Sequence, residues 1–223
     1  MRLWTRLAGK NACLNLAFEM PLPSCASLIC HPASPVPPGV RVAACAWREA
    51  GGLGLRHEVR APAGWLDCPP PARHLAARAD GLWQRTCLET FVAAEQPSNE
   101  GANKGEDGEG GDKYCEFNLS PDGCWAAYAF CTERVRHTAS AWQTWEARAR
   151  PARFACSQQG DAACLTLEAF WPDLPLPAAA VWRVGLCAVL QAAGALSYWA
   201  LRHPMPRPDF HHFAGRLLRL PPP

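Results

Sequence analysis

The sequence predicts an all-β fold, an antiparallel β-sandwich or jelly roll. Three observations point there. Short apolar or alternating runs recur along the chain, each closed by Pro, Gly or Asp clusters. The 22 prolines fall between these runs, where a missing N–H costs no ladder bond. Strands do not alternate with long helical patterns, which excludes a parallel α/β sheet.

In chain order the strands are expected at 27–30, 40–48, 53–60, 86–94, 114–120, 125–131, 144–150, 153–157, 163–170, 182–191, 196–202 and 216–220. The period of two is clearest in Val40, Val42, Ala44 and Ala46, and in Trp182, Val184, Leu186, Ala188 and Leu190. Each series gives its strand one apolar face. The tripeptide Pro121-Asp122-Gly123 joins two strands as a tight hairpin, and Gly51-Gly52 does the same between 40–48 and 53–60. Residues 73–79 and 178–181 are the only segments expected to make a helical turn or two. The segment 95–113, rich in Gly, Glu, Asp and Asn, reads as an acidic surface loop. Its donors Glu106, Asp107, Glu109 and Asp112 match no calcium-loop spacing, so no metal is assigned there.

Length and charge bound the function. A chain of 223 residues suits one large sandwich, with residues 1–21 as a tail outside the domain at 22–223 and Met20 as an alternative start. The net charge of +2 and the lack of a Lys/Arg cluster argue against nucleic acid. No run is long and apolar enough to span a membrane or export the chain, so a cytoplasmic location is expected. The 12 cysteines show no C-x-x-C pair and mostly sit in strand-like runs, so they are read as reduced, buried thiols rather than disulfides or metal ligands. His203, His211, His212 and Asp209 are read as caps of a Pro-rich loop, because neighbours in an extended chain point apart and chelate poorly.

Three segments stand out: DGLWQRTCLETF at 80–91, YCEFNLSPDGCW at 114–125, and LSYWALRHP at 196–204 continuing through PDFHH at 208–212 and GRLLRL at 215–220. In order and wording they resemble the bacterial DOMON-like domain proteins, relatives of the family 9 carbohydrate-binding modules, over nearly the whole chain. The resemblance implies an immunoglobulin-like or jelly-roll sandwich carrying a ligand slot, in which two tryptophans hold a sugar ring. Trp83 and Glu89 carry over best, from a Trp-x5-Glu motif, and the second tryptophan falls on Trp199. Other relatives hold haem through Met and His. Here only Met205 follows Met20, and it lies in a Pro-rich loop.

The residue chemistry fits a polyol. An indole offers an apolar plate, Glu89 and Glu116 accept hydroxyl protons, Asn118 donates and accepts, and Arg85 donates a fork of N–H bonds. Period two places Tyr114, Glu116 and Asn118 on one face, opposite Cys115, Phe117 and Leu119. It likewise groups Cys87, Glu89 and Phe91. Nothing in the sequence orients a base toward Cys87, and no extended cleft accompanies Glu89 and Glu116 as a glycosidase pair. The expectation is therefore a binding domain without catalysis or cofactor, for a small-molecule ligand of carbohydrate type. A haem or redox-ligand module and a purely structural interaction domain are the alternatives, and the oligomeric state is left open.

Overall fold

The computed structural model describes residues 23–34, 36, 38–49, 51–95, 113–159 and 163–223. The expected tail at 1–21, the alternative start and the four acidic donors between 106 and 112 lie outside the described residues.

The strands are β1 (Ser24–Cys30), β2 (Arg41–Glu49), β3 (Gly52–Ala61), β4 (Cys87–Ala94), β5 (Tyr114–Leu119), β6 (Trp125–Thr132), β7 (Val135–Arg136), β8 (Arg153–Gln159), β9 (Ala163–Pro172), β10 (Trp182–Ala192), β11 (Ala195–Ala200) and β12 (Leu218–Leu220). Among the described residues, one helix, α1 (Ser140–Arg148), and two short 3₁₀ turns, η1 (Leu82–Gln84) and η2 (Phe213–Gly215), complete the elements. Every strand pair is antiparallel. One layer runs β1-β2-β3-β9-β8, and the other β7-β6-β5-β4-β10-β11, with β12 also on β10. β1 belongs to both, pairing with β2 along most of its length and with β11 at Ile29 and Cys30.

The core lies between the layers. Val42, Ala44 and Ala46 of β2 meet Val184, Leu186 and Ala188 of β10 in one buried cluster. Phe117 of β5 touches Trp171 of β9 with ring centroids 4.6 Å apart. The inward face of β2 ends in a charge, Arg48. Its guanidinium donates to the carbonyls of Ala178 and Ala180, each at 2.7 Å, and lies 3.8 Å over the Trp182 ring. Those partners let a guanidinium stay buried. The 121–123 hairpin forms as expected. Gly123 adopts φ 82°, and a Cβ there would stand 2.5 Å from the His74 carbonyl oxygen. Only glycine lets the neighbouring segment approach that closely.

Three expectations are corrected. The segment 144–150 is not a strand; 140–148 is α1, because Trp142, Trp145 and Ala149 recur at helical spacing and pack onto the core. Residues 73–79 do not turn into a helix. They run extended beside the β5–β6 hairpin, where Ala72, Ala76 and Ala79 donate to the Pro121, Gly123 and Trp125 carbonyls. The 178–181 segment does make the expected turn, closed by Ala180 N–H on the Pro177 carbonyl. Finally, Cys25 and Cys45 form a disulfide. The β1–β2 register sets them directly opposite, a cross-strand juxtaposition that sequence spacing does not reveal.

Candidate functional site

The β4-β5-β6-β10-β11 layer has a second buried face, turned away from the core. Phe91 and Ala93 of β4, Tyr114 of β5, Tyr128 and Phe130 of β6, Cys187 of β10 and Ala200 of β11 form a separate cluster there with Leu82. A cavity of about 410 Å³ opens on this face, within the range of small-ligand sites. Glu89, Phe91, Glu116, Tyr128, Phe130, Arg136, Val189 and Tyr198 come from the strands; Trp83, Arg134, Pro208, Phe210 and His211 come from the flanking segments.

Trp83 is positioned by η1. Gly81 enters it in the left-handed region at φ 73°, and Leu82 anchors it in the outer cluster. The next residue is thereby left at the surface: Trp83 is 44% exposed, with its ring edge-on to Tyr128 at 6.3 Å. Glu89 follows on β4, only 4% exposed, and its Oε1 has no hydrogen-bond partner. Burial, reinforced by the charge of Glu116, raises its pKa well above the usual carboxylate range.

Glu116 lies on β5 diagonally across from Glu89, since Glu89 pairs with Asn118 and Phe91 with Glu116. It too is buried, but it has company. Asn118 Nδ2 donates to Glu116 Oε1 at 2.8 Å, and His211 Nε2 stands 3.8 Å from Oε2. Burial raises the Glu116 pKa to about 7, against the opposing effects of the Asn118 hydrogen bond and of Arg136 and Arg134. Asn118 itself is fully buried beneath the cavity wall, and its Oδ1 has no partner.

The far wall is a network. Tyr114 Oη accepts the Arg134 backbone N–H at 3.1 Å and lies 2.7 Å from His211 Nδ1. With the phenol proton directed at Nδ1, the imidazole carries its own proton on Nε2, facing Glu116. Burial and the nearby Arg134 hold the His211 pKa down to about 4, so the ring is neutral. Arg134 donates to Asp209 Oδ1 at 2.8 Å, and Arg136 lies 4.4 Å over the Tyr128 ring while pairing with Glu146 of α1. The rim cations are thus held by carboxylates outside the cavity.

Of the residues singled out from sequence, Trp83, Glu89 and Glu116 come together at this cavity, with Asn118 behind the two carboxylates. Arg85 is elsewhere, ion-paired to Asp122 of the hairpin at 2.6 Å. Trp199 is on the opposite face of β11: it is 5% exposed in the inter-sheet core, with Nε1 donating to Ser197 Oγ at 3.0 Å. Its neighbour Tyr198 lines the cavity instead, because adjacent strand residues point to opposite faces. Tyr198, Tyr128, Phe210, Arg134, Arg136 and His211 were missed as site residues. His212 caps η2 by accepting the Ala214 N–H, as a loop cap should, whereas His211 belongs to the cavity. Met205 stands apart, in a separate surface depression with His31 and His203.

No protein-family model matches the chain, and no curated protein matches it. Among solved structures, the chain is similar to a "putative carbohydrate-binding protein" from Bacteroides uniformis, at 15% identity and a TM-score of 0.56, over 89% of this chain and 86% of that one. The likeness is one of fold. A family 9 carbohydrate-binding module from Caldicellulosiruptor kristjanssonii in complex with cellotriose aligns at 8% identity with a TM-score of 0.44, over 87% of this chain and 80% of that one. The same kind of module in complex with glucose aligns at 8% identity with a TM-score of 0.41, over 78% of this chain and 73% of that one.

Proposed function

We propose that the chain is a non-catalytic binding domain whose outer-face cavity takes a saccharide. The observation that carries this reading is the composition of that one cavity: aromatic side chains from Trp83, Tyr128, Tyr198 and Phe210 beside two buried carboxyl groups. A sugar ring has apolar C–H faces and a rim of hydroxyls, and this set offers a surface for each. Trp83 supplies the exposed plate at the mouth. Tyr198 and Phe210 take the part first expected of Trp199. Glu89 and Glu116 read the hydroxyls from the floor. The Bacteroides uniformis protein, whose name describes carbohydrate binding, shares the sandwich on which the cavity is built. Fold alone hosts many ligands, so the reading rests on the cavity.

Titration with a panel of mono- and disaccharides, followed by tryptophan fluorescence and calorimetry, tests it. A saturable signal is expected for the intact protein, with affinity lowered roughly ten-fold or more in Trp83→Ala. A folded protein that responds to no sugar, or binding that Trp83→Ala leaves unchanged, would overturn the assignment.

A further inference from the structure

The permanent charges that line the cavity are both positive, Arg134 and Arg136. β7 follows β6 through a turn at 133–134, and Phe130 pairs with Arg136 across that hairpin. Alternation then turns residues 134 and 136 to the cavity and leaves Val135 between them 51% exposed. Both guanidiniums are open to a ligand, with side chains 56% and 46% exposed. Each places one terminal nitrogen on a carboxylate outside the cavity, Arg134 on Asp209 and Arg136 on Glu146. Those bonds orient the two groups, and among the described residues the other N–H donors of each fork have no hydrogen bond.

The local backbone is bent to this placement. Arg134 takes φ 61°, in the left-handed region that favours glycine, and Tyr114 Oη accepts its N–H at 3.1 Å. Arg136 is steadied by the Tyr128 ring, 4.4 Å below its guanidinium. A guanidinium fork matches a carboxylate through parallel N–H bonds, a geometry that a hydroxyl cannot return. The acidic groups of the floor do not forbid an anion at the rim. Burial drives Glu89 toward its neutral form, and Glu116, with a pKa of about 7, can take a proton at little cost.

We propose that the saccharide taken by this cavity is a hexuronic acid, its carboxylate seated on Arg134 and Arg136 at the rim. This rests on the saccharide reading above. The carboxylate lies outside the sugar ring, so the ring faces and hydroxyls remain free for the aromatic side chains and the floor. Its charge opposes ionised Glu116, so the preference for an acidic sugar weakens as pH rises through 7. The titratable and charged groups around Glu116 are Glu89 and Cys87 of β4, Tyr114 of β5, Tyr128 of β6, Arg136 of β7 and Cys187 of β10. Arg134, His211 and Arg216 join them from the flanking segments. Burial keeps the thiols and phenols protonated and His211 neutral, so the arginines are the charged neighbours near neutral pH.

Calorimetry at pH 6 and pH 8 tests the proposal with glucuronate and galacturonate, each beside its uronamide and its parent hexose, and with glucose 6-phosphate. Expected is roughly ten-fold tighter binding of one uronate than of its uronamide and hexose at pH 6, with a smaller ratio at pH 8. Arg134→Gln and Arg136→Gln should each bring the ratio of uronate to uronamide toward one. The comparison of sugars is read on the unaltered protein, so it stands even if a substitution unfolds the hairpin. Any sugar without a carboxylate, glucose 6-phosphate included, that binds as tightly as the better uronate would overturn the uronate while leaving the saccharide. A preference that does not weaken with pH, or that persists in both folded variants, would do the same. Binding of no sugar at all would overturn both.

Discussion

The two faces of the β4-β5-β10-β11 layer are both buried, yet they differ in kind. On the inner face, Leu88, Val92, Phe117, Leu119, Leu186 and Trp199 pack into the sandwich core. On the outer face, the same strands present Glu89, Phe91, Glu116, Val189 and Tyr198 to a cavity walled by chain that arrives from far away in sequence. His211 meets Tyr114 across 97 residues. Burial alone does not separate core from site here: all six residues of β5 are buried, Phe117 and Glu116 alike. What separates them is the kind of polar group each face buries: among the described residues the buried carboxyl groups, Glu89 and Glu116, both lie on the outer face beside the cavity. An inner face that buried an unmatched carboxylate would unfold the layer, while an outer face can hold one ready for a ligand.

The largest expected effect lies on the inner face. Phe117→Ala should lower the unfolding free energy by about 3–5 kcal/mol in denaturant titration. Tyr198→Ala, on the outer face, should cost clearly less, and an equal cost would erase the distinction between core and cavity.

Next comes a pH comparison of opposite sign. His57 of β3 is buried in the interior, where desolvation depresses its pKa to about 4. The unfolded chain then holds more protons between pH 4 and 6.5, so this stability is full above 6.5 and is lost as pH falls. Glu116 on the outer face is raised to about 7. There the folded chain holds more protons, so its contribution is full below 4.5 and is lost as pH rises toward 7. Each amounts to something on the order of 3 kcal/mol. Unfolding curves from pH 4 to 8 should show the wild-type protein gaining on His57→Leu as pH rises and losing ground to Glu116→Gln. Slopes of the same sign in both pairs would show that the two faces do not differ in this way.

The smallest effect is expected at the mouth. Trp83→Ala should shift stability by no more than about 0.5 kcal/mol, because the indole is nearly half exposed. A large loss of thermal stability would make Trp83 a packing residue and remove it from the site.

Much of the fold was readable in the chain. The period of two in β2 and β10 gave the correct inward faces, and the alternations in β4 and β5 sorted Glu89 and Glu116 away from Leu88 and Phe117. The 140–148 helix was missed because its Trp142, Trp145 and Ala149 spacing overlaps a short apolar run that also suits a strand. Trp199 and Tyr198 show a sharper limit. Both are large, aromatic and adjacent, and period two says only that they face opposite ways. Which of them faces the core depends on the pairing of β11 with β10 and β1, where Ala188 and Cys30 stand opposite Trp199.

By itself the sequence determined the class of fold, the hairpins at Gly51 and Gly123, and the grouping of Glu89 with Phe91 and of Glu116 with Asn118. These are local consequences of backbone geometry and side-chain alternation. Only the tertiary structure decided that the outer face is roofed by the 208–211 segment, that Arg134 and Arg136 stand beside Glu116, and that Arg85 turns to Asp122. Those pairings join residues distant in the chain, and their energies depend on register, burial and field, which exist only once the layers are closed.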